Sequence, residues 1–189
     1  MKQVLAVVLA ISVAVPILTQ ARGDSAKSPE QVVEEFLAME TRGGRLTPEG
    51  WAKADEFFVR PVPTPPEKRV VVISKDYSVY EASVKEDRAE VCNDYEDLGR
   101  IDSALHYTAP PSGFLKTTAT YHLVRARRLK SSTETVGSSL GWKIADPSIT
   151  LWLNLETAMR YVAAMRNKTG DPVVRRNADE TLAVLRRHH

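Results

Sequence analysis

The sequence predicts an α+β protein with two N-terminal helices, an antiparallel sheet and a C-terminal αα-hairpin. Three observations predict this order. Apolar residues recur at helical spacing up to residue 58, at alternating spacing between residues 70 and 145, and at helical spacing again after residue 154. Prolines and glycines separate these regions. Helices on either side of a run of strands are typical of an α+β domain.

The first 21 residues have the three parts of a secretory signal peptide. Lys2 supplies a positive charge, residues 4–18 are mostly apolar, and small residues up to Ala21 suit a cleavage site. The apolar core is shorter than the about 20 residues that span a membrane. We therefore expect a protein that is exported to the periplasm or the medium and keeps no stable membrane span. An uncleaved N-terminal anchor is the alternative.

Composition excludes several classes of protein. With 26 basic and 24 acidic residues, the chain lacks the basic excess of a nucleic-acid-binding protein. Cys92 is the single cysteine, so neither an intramolecular disulfide nor a lipid-bearing cysteine next to the leader is available. Stability must therefore come from packing.

Two helices are predicted after the linker at residues 22–27. Residues 28–31 provide a cap, a first-turn proline and a capping-box glutamine, and residues 47–49 repeat much of this signal. Gly43 and Gly44 separate the helices. The first is expected to bury Val32, Val33, Phe36, Leu37 and Met39 and to expose Glu34, Glu35 and Glu40, and the second to bury Trp51, Ala54, Phe57 and Phe58.

A proline-rich connector at residues 61–66 precedes the strands. Alternating patterns then predict strands, with a hairpin turn at residues 85–87 and a long polar loop at residues 127–139. Short connections favour antiparallel pairing. The predicted strands cover residues 70–73, 77–84, 88–95, 117–126 and 141–145, with residues 98–107 continuing or bending the third.

The C-terminal region predicts two helices joined at Gly170, with Asn154 as the cap of the first and Asp171 before the second. Their arginines indicate a solvated basic face, or alternatively a docking surface for an acidic partner or an anionic membrane. The expected buried stripes are Leu155, Ala158, Met159, Val162 and Met165, then Val174, Ala178, Leu182 and Leu185. The arginines are Arg160, Arg166, Arg175, Arg176, Arg186 and Arg187.

The segments SPEQVVEEFLAME, TPEGWAKADEFF, TATYHLVRA and GWKIADP occur in an order that resembles the nuclear transport factor 2-like (SnoaL-like) superfamily. The resemblance extends to exported bacterial members of unassigned activity. It implies a curved antiparallel sheet that forms a cone, with a pocket between sheet and helices that some members use for catalysis and others for binding. It transfers no catalytic residue to this chain. The expected organisation is residues 1–21 signal peptide, 22–27 linker, 28–150 α+β domain and 151–189 helical hairpin extension.

Four residues are candidates for lining such a pocket. Asn93 and Tyr95 share the apolar face of their strand, and Tyr121 and Trp142 lie on later strands. Apolar walls with few polar groups are typical of a small-molecule site. The alternative is that these side chains are ordinary core residues, since buried tyrosine and tryptophan need only one polar partner each.

Chemistry elsewhere in the chain is sparse. His122 beside Asp94 or Asp97 would make a general base if their strands are neighbours, although an exposed strand histidine is the simpler interpretation. No metal-ligand spacing, phosphate loop or nucleophile elbow occurs, so we expect neither a metal nor a cofactor.

The sequence thus favours an exported, non-enzymatic domain that binds a small apolar ligand or a protein partner. An isomerase- or hydrolase-type enzyme is one alternative, and it requires a buried ionisable group with a shifted pKa in an open pocket. An envelope structural or assembly module is the other, and it requires an exposed apolar patch.

Overall fold

The computed structural model describes residues 27–61, 70–111, 116–126, 141–146 and 150–189. The predicted leader, nearly all of the linker, the proline connector after Pro61 and the polar loop at residues 127–139 lie outside the described residues.

The predicted helix starts are confirmed. At the first, the Ser28 hydroxyl accepts from the Gln31 amide at 3.3 Å, and the Gln31 side chain accepts from the Ser28 amide at 2.9 Å. Phe57 and Phe58 follow the second helix rather than lying inside it. The helices are α1 (Pro29–Glu40), α2 (Pro48–Asp55), α3 (Leu155–Lys168) and α4 (Pro172–Leu185), with a 3-10 helix (Gly44–Leu46) before α2.

Gly50 allows the start of α2 to lie directly against the 3-10 helix. A Cβ atom at this position would stand 1.4 Å from the carbonyl oxygen of Gly44. The backbones therefore approach more closely than any other residue at position 50 permits.

Among the described residues the sheet has six strands: β1 (Val71–Lys85), β2 (Arg88–Ile101), β3 (Tyr107–Thr108), β4 (Lys116–Arg125), β5 (Trp142–Ile144) and β6 (Leu151–Asn154). Two strands are longer than predicted. The predicted strands at residues 70–73 and 77–84 are both part of β1, and β2 continues beyond residue 95 to Ile101. Register shifts around Ser74 and Tyr80 bend β1 without ending it. The order of the strands in the sheet is β5-β4-β2-β1-β6, with β3 also paired to β2.

The sheet is mixed because β6 pairs in parallel with the start of β1. Val71 lies opposite Leu151, and Ser74 lies opposite Asn154. All the other pairs of named strands are antiparallel, as predicted. Residues 151–154 thus belong to the sheet, and the helical hairpin begins at Leu155.

Two apolar cores occupy different parts of this α+β cone. The cone core lies between the N-terminal helices and the sheet and includes Val33, Phe36, Leu37, Phe58, Val91, Tyr95, Tyr121, Leu123, Trp142 and Ile144. The hairpin core joins α3 and α4 to the start of β1, the end of β2 and β6, and includes Ile73, Ile101, Leu105, Leu153, Ala158, Val162, Ala178, Leu182 and Leu185. Met165, predicted to be buried, is 37% exposed.

Candidate functional site

The inner face of β2 carries two of the candidate residues. Burial alternates along the strand, so Asn93 and Tyr95 point into the cone together with Val91. Asn93 lies opposite Val79 of β1 and Ala119 of β4. The predicted face of this strand is therefore confirmed.

Tyr121 joins them from β4. It lies opposite Val91, and its hydroxyl oxygen is 2.5 Å from that of Tyr95. One hydroxyl donates to the other, so one of the two phenolic protons remains available for a further acceptor. Burial raises the pKa of Tyr121 to about 12 and raises the pKa of Tyr95 well above its ordinary value. Both tyrosines are thus neutral hydrogen-bonding groups at physiological pH.

Aromatic rings surround this hydroxyl pair. The Trp152 ring stacks on Tyr95 with a centroid separation of 3.7 Å and an interplanar angle of 11°. Phe36 of α1 meets Tyr121 edge-on at 6.1 Å. The hydroxyl pair therefore lies in apolar, aromatic surroundings with few polar atoms.

The Asn93 side chain is the unusual member of the group. It is fully buried, and neither its amide nitrogen nor its amide oxygen forms a hydrogen bond of normal geometry, although the amide lies close enough to the Tyr95 hydroxyl to act against the rise that burial causes in that group's pKa. Buried polar groups are paired in most proteins, because an unpaired one costs about 1–3 kcal/mol. A donor and an acceptor are therefore available inside the cone, on the strand that carries Tyr95.

Trp142 does not meet the other three candidates. It lies opposite Arg125 at the end of β4, four residues beyond Tyr121, which at the usual rise per residue is about 13 Å along the strand. It is buried in the cone core beneath the Arg125 guanidinium, whose carbon lies 4.9 Å from the ring centroid. The structure groups Asn93, Tyr95 and Tyr121 and leaves Trp142 at the other end.

A buried ion pair that was not predicted from the sequence lies beside this group. The expectation that Glu40 faces solvent is wrong, because Glu40 and Arg45 are each only 1% exposed. Arg45 Nε donates to Glu40 Oε2 at 2.7 Å, and Arg45 Nη2 donates to Glu40 Oε1 at 2.5 Å. The spacing of Glu40 from Phe36 and Leu37 places it on the buried stripe of α1, which is the signal that would have found it.

The ion pair connects the N-terminal helices to the C-terminal region. Arg45 also donates to the carbonyl of Thr150 at 2.9 Å, and the Trp152 amide donates to Glu40 at 3.2 Å. The guanidinium carbon of Arg45 lies 5.1 Å from the ring centroid of Trp51. Burial raises the pKa of Glu40, while the hydrogen bonds from Arg45 act in the opposite direction.

Comparison of the chain with protein-family models, with curated proteins and with solved structures finds no match. The resemblance to the nuclear transport factor 2-like superfamily therefore stays a prediction.

The outer face of the sheet holds His122 and Asp94, whereas Asp97 is buried and accepts a hydrogen bond from the Gly99 amide. His122 lies opposite Glu90, with Nδ1 at 3.6 Å from the carboxylate, and both side chains are more than half exposed. Asp94 accepts hydrogen bonds from Tyr80 and Thr118 on the two neighbouring strands. The proposed histidine base is thus beside a different acid, on the solvent side of the sheet.

Half of the six hairpin arginines pair with carboxylates inside the hairpin. Three of its arginines meet carboxylates of the same two helices, in the pairs Arg160–Glu156, Arg166–Asp179 and Arg176–Glu180. Such internal pairing leaves less positive charge for an external partner. Within the described ranges, no helix is long and apolar enough to cross a membrane, and no group of three His, Cys, Asp or Glu side chains is placed to hold a metal ion.

Chemically, the inner site offers hydrogen bonds rather than ionisation. Asn93 supplies an amide donor and acceptor, and the tyrosine pair supplies one further proton. Glu40 is the buried carboxylate beside this site that could serve as a catalytic acid, and three hydrogen bonds already engage it.

Proposed function

We propose that this protein is an exported, non-enzymatic binding domain that holds a small, mainly apolar ligand on the inner face of the cone. The observation that carries the proposal is the fully buried Asn93 amide, whose nitrogen and oxygen both lack a hydrogen bond of normal geometry. A ligand hydroxyl or carbonyl would satisfy this amide, and the aromatic walls would bury the apolar remainder.

The energetics support binding over a purely structural role for Asn93. A leucine at this position would fill a similar volume with no unpaired polar atom, so an asparagine costs stability in the empty protein. Such a cost is typical of sites that are kept for function at the expense of stability.

The engagement of Glu40 supports a non-enzymatic role. A general acid or base must reach the substrate with a free lone pair or proton. Glu40 directs both carboxylate oxygens at Arg45 and also accepts from the Trp152 amide. Three of the about four acceptor positions of this carboxylate are thus occupied, which leaves little capacity for proton transfer to a ligand.

Export is proposed from the leader sequence, and the cone-pocket assignment also draws on the resemblance to nuclear transport factor 2-like proteins. Expression of the full chain in a bacterium with a secretory pathway tests the first. N-terminal sequencing of periplasmic protein should begin at Arg22. Protein that retains Met1 in the membrane fraction would contradict cleavage and favour the anchor.

Asn93→Leu tests the binding site, with Asn167→Leu on exposed α3 surface as the matched control. The probe is 2-naphthol, a neutral aromatic with one hydroxyl, titrated by its fluorescence. We expect saturable binding to the native protein and to Asn167→Leu, and an affinity about tenfold lower for Asn93→Leu. The unliganded Asn93→Leu protein should unfold at an equal or higher urea concentration.

Native mass spectrometry of freshly purified protein provides a second readout that does not depend on the probe. A bound small molecule should accompany the native protein and Asn167→Leu but not Asn93→Leu. Two results together would mean that Asn93 is a structural residue. These are an unchanged naphthol affinity in Asn93→Leu and the same bound small molecule, or none, in the native protein and both variants.

A further inference from the structure

A groove distant from the Asn93 site opens at the far end of the sheet. It lies where the β1–β2 turn, the end of β4 and β5 meet the segment after α2, and its volume is about 510 Å³. The Arg125 amide donates to the carbonyl of Asp87 at 2.8 Å, which fixes the two strand ends that form its wall. This volume is within the range of small-molecule sites, about 300–1,000 Å³.

Positive charge dominates this groove. Of the described residues that line it, Arg88, Arg125 and Lys143 are cationic and Asp87 is the one carboxylate. Among the described residues, none of these three cations forms an ion pair with a carboxylate. The groove therefore has a net positive charge, although the chain as a whole is nearly neutral.

Two of the three cations have contacts that leave donors available. The Arg125 guanidinium carbon lies 4.9 Å over the centroid of the Trp142 ring, and a contact through the ring face leaves the N–H groups able to donate. The Lys143 ammonium donates to the backbone carbonyl of Glu56, which accounts for one of its three protons. Arg88 is exposed at the start of β2.

The remainder of the lining is apolar. Phe58, Val124 and Val59 contribute to the groove, and Val59 is 49% exposed. An apolar surface beside a cluster of cations is complementary to a molecule that has an anionic head and an apolar body. A simple inorganic anion would leave this surface in water.

We propose that this groove binds one molecule of an anionic amphiphile, a carboxylate, sulfonate or phosphate attached to an apolar body, taken from solution. The head would accept charge-assisted hydrogen bonds from Arg88, Arg125 and Lys143, which are about twice as strong as neutral ones. The body would lie on Phe58 and Val124. The limited volume of about 510 Å³ favours a single dissolved molecule over a bilayer surface.

This site is independent of the one proposed at Asn93. Ala119, the β4 neighbour of Asn93, is six residues from Arg125, or about 20 Å along the strand. Failure of either site therefore leaves the other intact, and Asn93→Leu serves as a control for this groove.

The test uses two fluorescent probes that differ chiefly in charge, 1-anilinonaphthalene-8-sulfonate and neutral N-phenyl-1-naphthylamine. The double variant Arg88→Gln/Arg125→Gln removes two groove cations, and Arg175→Gln/Arg176→Gln on α4 removes the same charge from a distant exposed surface. We expect an affinity for the sulfonate about tenfold lower or more in the groove variant. Its affinity for the neutral probe, and both affinities of the α4 variant, should stay unchanged.

Three further measurements sharpen the result. Dodecanoate should displace the sulfonate from the native protein, Lys143→Gln should weaken sulfonate binding to a smaller extent, and Asn93→Leu should leave it unchanged. Circular dichroism checks that every variant is folded.

Several results would overturn the proposal. These are the absence of saturable sulfonate binding to the native protein, an equal loss in the α4 variant, and a parallel loss of the neutral probe in the groove variant. Binding only to phosphatidylglycerol vesicles, with no binding of the dissolved probe or of dodecanoate, would replace the dissolved amphiphile with a membrane surface.

Discussion

Replacing Arg45 with methionine isolates the energetic role of the buried ion pair. The Glu40 carboxylate would keep the hydrogen bond from the Trp152 amide and lose both bonds from Arg45. Because Glu40 is 1% exposed, water cannot replace them. Removing one member of a buried pair typically costs about 3–5 kcal/mol. For a domain of this size the thermal midpoint should therefore fall by roughly 6–20 °C.

Urea denaturation of four proteins separates charge from packing. Arg45→Met should show the full loss, whereas Glu40→Leu/Arg45→Met, which removes both charges, should lie within about 2 kcal/mol of the native protein. Arg160→Met breaks an exposed pair with Glu156 and should change stability by about 0.5 kcal/mol or less. A double variant as unstable as Arg45→Met would refute the charge argument and assign the loss to packing against Trp51.

The pH dependence of Arg45→Met provides an independent check. Burial raises the pKa of Glu40 above 4.5 in the folded protein, and Arg45 supplies the largest opposing effect. Without Arg45 the folded state holds the proton to a higher pH than the unfolded state does. Stability must then fall as the pH rises from 4.5 towards the folded pKa. A loss in Arg45→Met that is as large at pH 4 as at pH 7 would contradict this.

Two further substitutions test the packing and the inner site. Gly50→Ala would place a Cβ atom 1.4 Å from the Gly44 carbonyl oxygen, so the start of α2 must move away from the 3-10 helix. We expect urea denaturation to show a loss of about 2–4 kcal/mol in the free energy of unfolding. A loss below about 0.5 kcal/mol would contradict the close approach. Tyr121→Phe leaves the buried Tyr95 hydroxyl without its partner and should cost about 1–3 kcal/mol. Because burial raises the pKa of both tyrosines, native stability should fall as the pH rises above 10, where only the unfolded tyrosines ionise. A tyrosinate absorbance titration that finds every tyrosine ionised in the folded protein near pH 10 would contradict their burial.

Local patterns account for most of the fold. Caps and proline positions determine where α1 and α2 begin. The first turn of a helix has backbone amides without intrahelical acceptors, and only certain side chains can accept their hydrogen bonds. Alternation identifies the buried face of β2 from the sequence alone. By contrast, β6 is only four residues long and pairs in parallel with a distant strand, so its partner leaves no signal in the neighbouring sequence.

The candidate site was only partly predictable, for a related reason. Alternation places Asn93 and Tyr95 on one face, but the register of β4 decides that Tyr121 meets them and that Trp142 does not. Charged residues are usually exposed, so the sequence predicts a solvent-facing Glu40. Its burial depends on Arg45, which reaches it across the turn at Gly43 and Gly44.

The contacts of Arg45 also impose an order on the assembly of the chain. Arg45 donates to Thr150, 105 positions later, and Glu40 accepts from Trp152, 112 positions later. During synthesis the N-terminal helices exist long before these partners are made, so the ion pair remains incompletely satisfied until the last quarter of the protein arrives. Non-local contacts of this kind close late and slowly. A chain that ends before Thr150 therefore lacks both of these hydrogen bonds and cannot reach full stability.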